Sequence, residues 1–124
     1  MEETDKEVRA VIQKYIDATF NGDLKAIKKL FHSKAVMNGY IGDKLLLGGP
    51  EPFFQHLESM KPMSETGAPY KANITFLDLV GNVASAIVSE TGFASELNFT
   101  TYFHLLKDGE GWKIISKTFT TTGQ

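Results

Sequence analysis

Apolar residues return every three or four positions at the start of the chain and every second position later. Val8, Val11, Ile12, Tyr15, Ile16 and Thr19 share one face of a helix predicted over residues 5–20. Thr4 and Glu7 fit a capping box at its start, and Asn21-Gly22 ends it, because glycine takes the left-handed closing conformation at little cost. Asp23 is placed to cap a second helix whose apolar stripe is Leu24, Ile27, Leu30 and Phe31. Strand patterns follow at residues 35–40 and 44–47, separated by a Gly42-Asp43 turn. Gly48-Gly49-Pro50 breaks the chain before a third helix over residues 51–60, with Phe53, Phe54, Leu57 and Met60 apolar. Residues 62–69, rich in Pro, Gly, Ser and Thr, read as a loop.

The rest alternates as strands do. Residues 72–80 and 83–91 form one hairpin across Gly81-Asn82, and residues 99–107 and 112–120 form a second across Asp108 to Gly111. Helices first and strands later, without regular alternation, predict a single α+β domain over residues 1–124, with three N-terminal helices and an antiparallel sheet. Side chains of a strand point alternately to its two faces. Phe99, Thr101, Phe103 and Leu105 therefore share a face, as do Trp112, Ile114, Ser116 and Thr118, and Ser85, Ile87, Ser89 and Thr91. Each set mixes apolar groups with hydroxyls, as a pocket for an apolar ligand does. On the other faces lie Tyr102, His104 and Leu106 from one strand and Ala84, Ala86 and Val88 from another, too apolar a surface for free solvent.

Composition narrows the partners. With 124 residues the chain can bury a core without metal or disulfide. Its 13 basic and 15 acidic side chains provide no basic excess for nucleic acid. It has no cysteine, which excludes thiol nucleophiles and zinc–thiolate sites. The acidic start lacks the apolar core of a leader, and no apolar run reaches the ~20 residues of a membrane span, so the expected location is the cytoplasm.

Two stretches carry a resemblance. One is Tyr15-Ile16 with Asn21-Gly22-Asp23-Leu24, Leu30-Phe31-His32 and Ala35; the other runs from Thr101 to Lys107 and from Gly111 to Lys117. In this order and spacing the chain resembles the nuclear transport factor 2-like superfamily, and within it the putative lumazine-binding family and the SnoaL-like polyketide cyclases. The resemblance implies a cone-shaped, cystatin-like α+β barrel whose bent sheet wraps the first helix and leaves a pocket at its wide end. It also implies pairing of two copies through the outer sheet face. Fold alone does not fix function, since relatives use this pocket for isomerisation, cyclisation, dehydration or binding.

The ketosteroid isomerases of the superfamily test the enzymatic reading. They use a tyrosine of the first helix as oxyanion donor, a carboxylate after the second helix as base, and a second carboxylate on a later strand. Tyr15 matches the tyrosine, the base position falls at Asn38-Gly39 and the strand acid at Thr101, so one group of three is present. His32 is expected at the surface or in a capping role, His56 in solvent and His104 at an interface. No histidine–carboxylate cluster has metal-ligand spacing. Pro50 and the missing Lys-Ser/Thr pair remove the phosphate-loop reading of Gly48-Gly49.

The sequence therefore predicts a binder of a small apolar or aromatic molecule, with no catalytic residue, no metal and no cofactor. The candidate ligand-binding residues are Tyr15, Thr19, Asn38, Tyr40, Phe54, Ser89, Thr101, Phe103 and Ser116. A homodimer through Tyr102, His104 and Leu106 is the expected assembly. Two alternatives stand beside this: a cyclase, isomerase or dehydratase using Tyr15 as hydrogen-bond donor with an unidentified base, and a dimeric interaction module with a filled cone.

Overall fold

The structure, a computed structural model, describes residues 2–109 and 111–122, with side chains from Asp5 onward. Four helices and six strands follow in the order α1 (Glu2–Asn21), α2 (Leu24–Leu30), β1 (Phe31–Ile41), β2 (Lys44–Leu46), α3 (Glu51–Ser59), α4 (Met63–Thr66), β3 (Lys71–Val80), β4 (Val83–Phe93), β5 (Leu97–Asp108) and β6 (Gly111–Thr121). Helix α1 begins at Glu2, so Thr4 lies inside its first turn and does not cap it; the side chain of Thr4 lies outside the described residues. Asp23 does cap α2, its Oδ1 accepting from the Ala26 N–H at 3.1 Å. Phe31, placed by spacing on the second helix, has extended backbone and opens β1 instead, as the parallel partner of Ile114. The expected loop after α3 contains a single helical turn, α4, which buries Met63 and is closed by Gly67 at φ 76°.

The strands form one curled sheet in the order β2-β1-β6-β5-β4-β3. Every neighbouring pair is antiparallel except β1–β6, which is parallel. Alternation along a strand tells which face a residue takes and not which strand will lie beside it, so this pair was not visible in the pattern.

Two features of register reverse expected faces. In β5–β6, His104 pairs with Ser116 while Leu105 pairs with Ile114, leaving Ile115 as an extra residue. Such a bulge moves every later side chain to the opposite face. Trp112 and Ile114 point inward before it, Lys117 and Phe119 after it; Ser116 and Thr118 point out. In β4 the inward set is Ala84, Ala86, Val88 and Glu90, paired with Leu105, Phe103, Thr101 and Phe99. Ser85, Ile87 and Ser89 lie on the convex side, the reverse of the expectation. Both sets are apolar enough to be buried; the large Phe103 next to Ala86 takes the space that the small residues leave.

Helix α1 lies in the concave face and buries Val8, Ile12, Tyr15 and Ile16, with Val11 half-buried. Beneath it Phe103, Leu105 and Ile114 are fully buried. Each such side chain contributes about 1.5–3 kcal/mol by leaving water. The convex face carries Phe76, Val80, Val83 and Tyr102, between 48% and 69% exposed. Among the described residues no helix is long and apolar enough to cross a membrane.

Candidate functional site

Between α3, the ends of β1 and β2, and the later halves of β4 and β6 the concave face is not filled. A cavity of about 250 Å³ lies there, walled mainly by apolar groups that include Met37, Leu46, Phe53, Phe93, Phe99 and Phe119. Close packing shapes its floor. Gly39 has no side chain because a Cβ would stand 2.2 Å from the Phe119 carbonyl oxygen, and this lets β1 press against β6. Gly92, at φ 72°, lets β4 turn beneath Pro69, whose carbonyl oxygen would be 2.3 Å from a Cβ. Its N–H donates to Asn98 Oδ1 at 3.1 Å.

Four buried polar side chains converge on this space: Tyr15, Glu90, Thr101 and Lys117, which are 1%, 4%, 0% and 5% exposed. Glu90 is held from two sides. The Tyr70 hydroxyl donates to its Oε2 at 2.5 Å, and the Thr101 hydroxyl donates to its Oε1 at 3.4 Å. Tyr70 is itself fixed between aromatic rings, stacked on Phe20 and edge-on to Phe93. A buried carboxylate is tolerated only when its oxygens find donors, and these two satisfy it.

Lys117 has a different environment. Its Nζ lies 3.7 Å from the centre of the Phe53 ring, 5.1 Å from that of Tyr15 and 5.6 Å from that of Phe119. Among the described residues no carboxylate comes within 4.0 Å of it, and the sole salt bridge is His32–Asp108 at 3.0 Å. The negative faces of three rings stand where water would be. Burial lowers the Lys117 pKa from 10.5 to about 8, with the charge of Glu90 pulling the other way. For Tyr15, burial and then the Glu90 charge push ionisation well above the usual phenol range. Tyr70 is raised by the same two causes and by its hydrogen bond to Glu90. Both tyrosines are therefore neutral donors at neutral pH.

Of the nine candidate residues, the structure brings Tyr15 and Thr101 to the cavity wall. Thr19 is buried, but its Oγ1 has no hydrogen-bond partner among the described residues and does not line the cavity. Asn38 and Tyr40 alternate outward from Met37 and Ile41; Asn38 Oδ1 accepts from the Gly48 N–H at 3.1 Å, and Tyr40 is exposed. Phe54 lies edge-on to Phe31, outside the cavity, while its neighbour Phe53 lines it. Phe103 is core, edge-on to Tyr15 with ring centres 4.9 Å apart. Ser89 and Ser116 face out, Ser116 Oγ lying 3.4 Å from His104 Nδ1. His56, expected in solvent, is exposed but stands at the cavity wall, stacked on Phe93. His32 serves the backbone, its Nδ1 accepting from the Lys34 N–H at 3.0 Å.

Sequence reasoning missed Glu90 and Lys117. The signal for Glu90 was present: a carboxylate in period with Ala84, Ala86 and Val88 sits on an apolar face. Lys117 had no such signal, because only the bulge at Ile115 turns it inward. Among the described residues no group of three or more His, Asp or Glu could hold a metal.

The family described as Putative lumazine-binding matches residues 3–120. No curated protein matches the chain. An NTF2-like protein of unknown function from Shewanella baltica superposes with a TM-score of 0.86 at 26% identity, covering 98% of this chain and 96% of that one. Another, from Methylobacillus flagellatus, gives 0.87 at 28% identity, covering 98% and 94%. A ketosteroid isomerase-like protein from Erwinia carotovora atroseptica gives 0.71 at 15% identity over the whole of both chains. At that identity the likeness is one of fold.

Proposed function

We propose, for a chain that belongs to the Putative lumazine-binding family within the nuclear transport factor 2-like superfamily, that the cavity binds a small apolar or aromatic molecule carrying one polar group. The observation that carries this reading is a space of about 250 Å³ whose wall is apolar except for converging groups from Tyr15, Glu90, Thr101 and Lys117 and for His56. Ligand pockets have this character: apolar lining for affinity, a few fixed polar groups for orientation. The volume sets the size of the ligand. Apolar cavities near 150 Å³ hold a single benzene ring, so this one suits a two-ring molecule.

The test is equilibrium binding of 2-naphthalenemethanol. It should saturate at one site per chain, and Tyr15→Phe should weaken it by about 1 kcal/mol through loss of one hydrogen bond. No saturable binding by the unmodified protein would contradict the reading.

A catalytic reading has one specific observation behind it. Glu90, held by Thr101, puts a carboxylate into the cavity that Tyr15 faces, where the position after the second helix had none. A base must be near the proton it removes and a donor near the oxygen that gains charge. Glu90 and Tyr15 would take these roles in an isomerisation or dehydration. Turnover of a bound ketone that falls with Glu90→Gln while binding persists would favour it.

The convex face supports pairing of two copies. Phe76, Val80, Val83 and Tyr102 form an exposed apolar surface, with His104 beside Ser116 among them. A two-fold contact is the commonest way to cover such a patch, and a stable one buries at least ~1,000 Å². Light scattering should report a dimer that His104→Glu shifts toward monomer.

A further inference from the structure

We propose that Lys117 is a nucleophilic amine that captures small apolar or aromatic aldehydes and ketones as an imine inside the cavity. This rests on the binding reading above and names the ligand class for the same site. Three observations lead to it. Lys117 is a nine-tenths-buried amine in a cavity wall, and ring faces, not a carboxylate, surround its Nζ. A lysine kept for structure is usually paired when buried, because an unpaired ammonium is costly to desolvate. The same wall carries one carboxylate, Glu90, fixed in place by hydroxyl donors on both oxygens.

The direction of the Lys117 ionisation agrees with that placement: a value of about 8 leaves a useful fraction of free amine near neutral pH, which exposed lysines do not have. The reaction balances without a further reagent. The Nζ lone pair attacks the carbonyl carbon and the C=O π pair moves to oxygen. Glu90, through a bridging water, passes one nitrogen proton to that oxygen in forming the carbinolamine and a second in its dehydration. The carbonyl oxygen leaves as water carrying both Nζ protons, a C=N bond replaces C=O, and Glu90 ends as it began. Tyr15, neutral and adjacent to the amine, is placed to donate to the oxygen as its charge develops.

The experiment uses 2-naphthaldehyde with sodium cyanoborohydride on the full chain at neutral pH, followed by peptide mapping with mass spectrometry. Reduction turns the imine into a secondary amine, so the modified lysine gains a naphthylmethyl group in place of one hydrogen. The expected result is a single early adduct, on Lys117, formed at least about tenfold faster than on any surface lysine. 2-Naphthalenemethanol, which cannot form an imine, should slow that adduct by competition. Lys117→Arg should lose it, whereas Lys61→Arg, at an exposed lysine outside the cavity wall, should keep it. The mapping is done on the unmodified protein, so the outcome does not depend on the variant folding. Adducts on exposed lysines only, with the alcohol still binding, overturn the imine and leave the pocket standing. Failure of both probes overturns the two together.

Discussion

The two halves of the concave face are built from the same strands and treat polar groups in opposite ways. In the filled half, Ala84 to Val88 of β4, Phe103 and Leu105 of β5, and Trp112 and Ile114 of β6 close around α1. In the open half the same strands supply Glu90, Phe99, Thr101, Lys117 and Phe119. The change comes within two residues on β5, between Thr101 and Phe103, and on β6 it falls at the bulge. Packing holds the first half. The second holds a carboxylate and an amine that cost stability, and it keeps them in place with hydroxyl donors and ring faces. Sites of function are where such local conflicts are expected.

The largest effect should separate the halves directly. Phe103→Ala removes a fully buried ring and should cost about 3–5 kcal/mol in urea denaturation. Phe99→Ala, beside space that already exists, should cost clearly less, about 1–3 kcal/mol. Equal costs would mean that the open half is packed like the filled one.

Next in size is Lys117→Met, which keeps the volume and removes the buried charge. It should stabilise the protein by up to about 3 kcal/mol at neutral pH, the amount by which burial disfavours the ammonium. The gain depends on pH in a fixed direction. Below about 8 the ammonium is charged both folded and unfolded, and the folded state bears the full desolvation cost. Between about 8 and 10.5 the unfolded chain keeps a proton that the folded one has lost, so unmodified protein gains stability as pH rises. The advantage of the methionine variant should therefore be complete below pH 8 and fade toward 10.5. Tyr15 and His56 are present in both proteins, and Glu90, whose charge favours the ammonium, loses that partner in the variant and so reduces the gain. A gain independent of pH would show that the amine is not desolvated.

The fold was legible because burial writes itself into period. Val8, Ile12 and Ile16 at helical spacing, and Phe99 to Leu105 at spacing two, gave an amphipathic helix and antiparallel strands, and the resemblance supplied the curl of the sheet around that helix. The cavity was legible in part. Tyr15 lies on the buried face of α1, and Thr101 lies on the same face of β5 as Phe103. What failed was the sign of a face and the count along a strand. Ser89 and Glu90 are neighbours, and nothing local says which points inward. Ser116 and Lys117 exchange faces because Ile115 is an extra residue, and a bulge is a property of two paired strands. Phe31 and Phe54 show the same limit at element ends: the residue after a helix and the residue beside Phe53 are placed by tertiary packing.

A smaller effect sharpens the polar side of the comparison. Tyr70→Phe removes the donor to Glu90 Oε2 and should cost about 1.5–3 kcal/mol, the range for hydrogen bonds to charged groups. Restoring that stability with the further change Glu90→Gln, measured in a double-mutant cycle, would show that the loss comes from the carboxylate. Independent, additive losses would place the role of Tyr70 in its ring contacts with Phe20 and Phe93.

The central claim is that the open half of the cone receives a ligand. A crystal soaked in iodobenzene tests it most directly, because the iodine can be located by its anomalous scattering. The account predicts an iodine peak inside the cavity, between Phe53 and Phe93 and within reach of Lys117. Iodine found only on the convex face or between molecules, with the cavity closed by its own side chains, would contradict it.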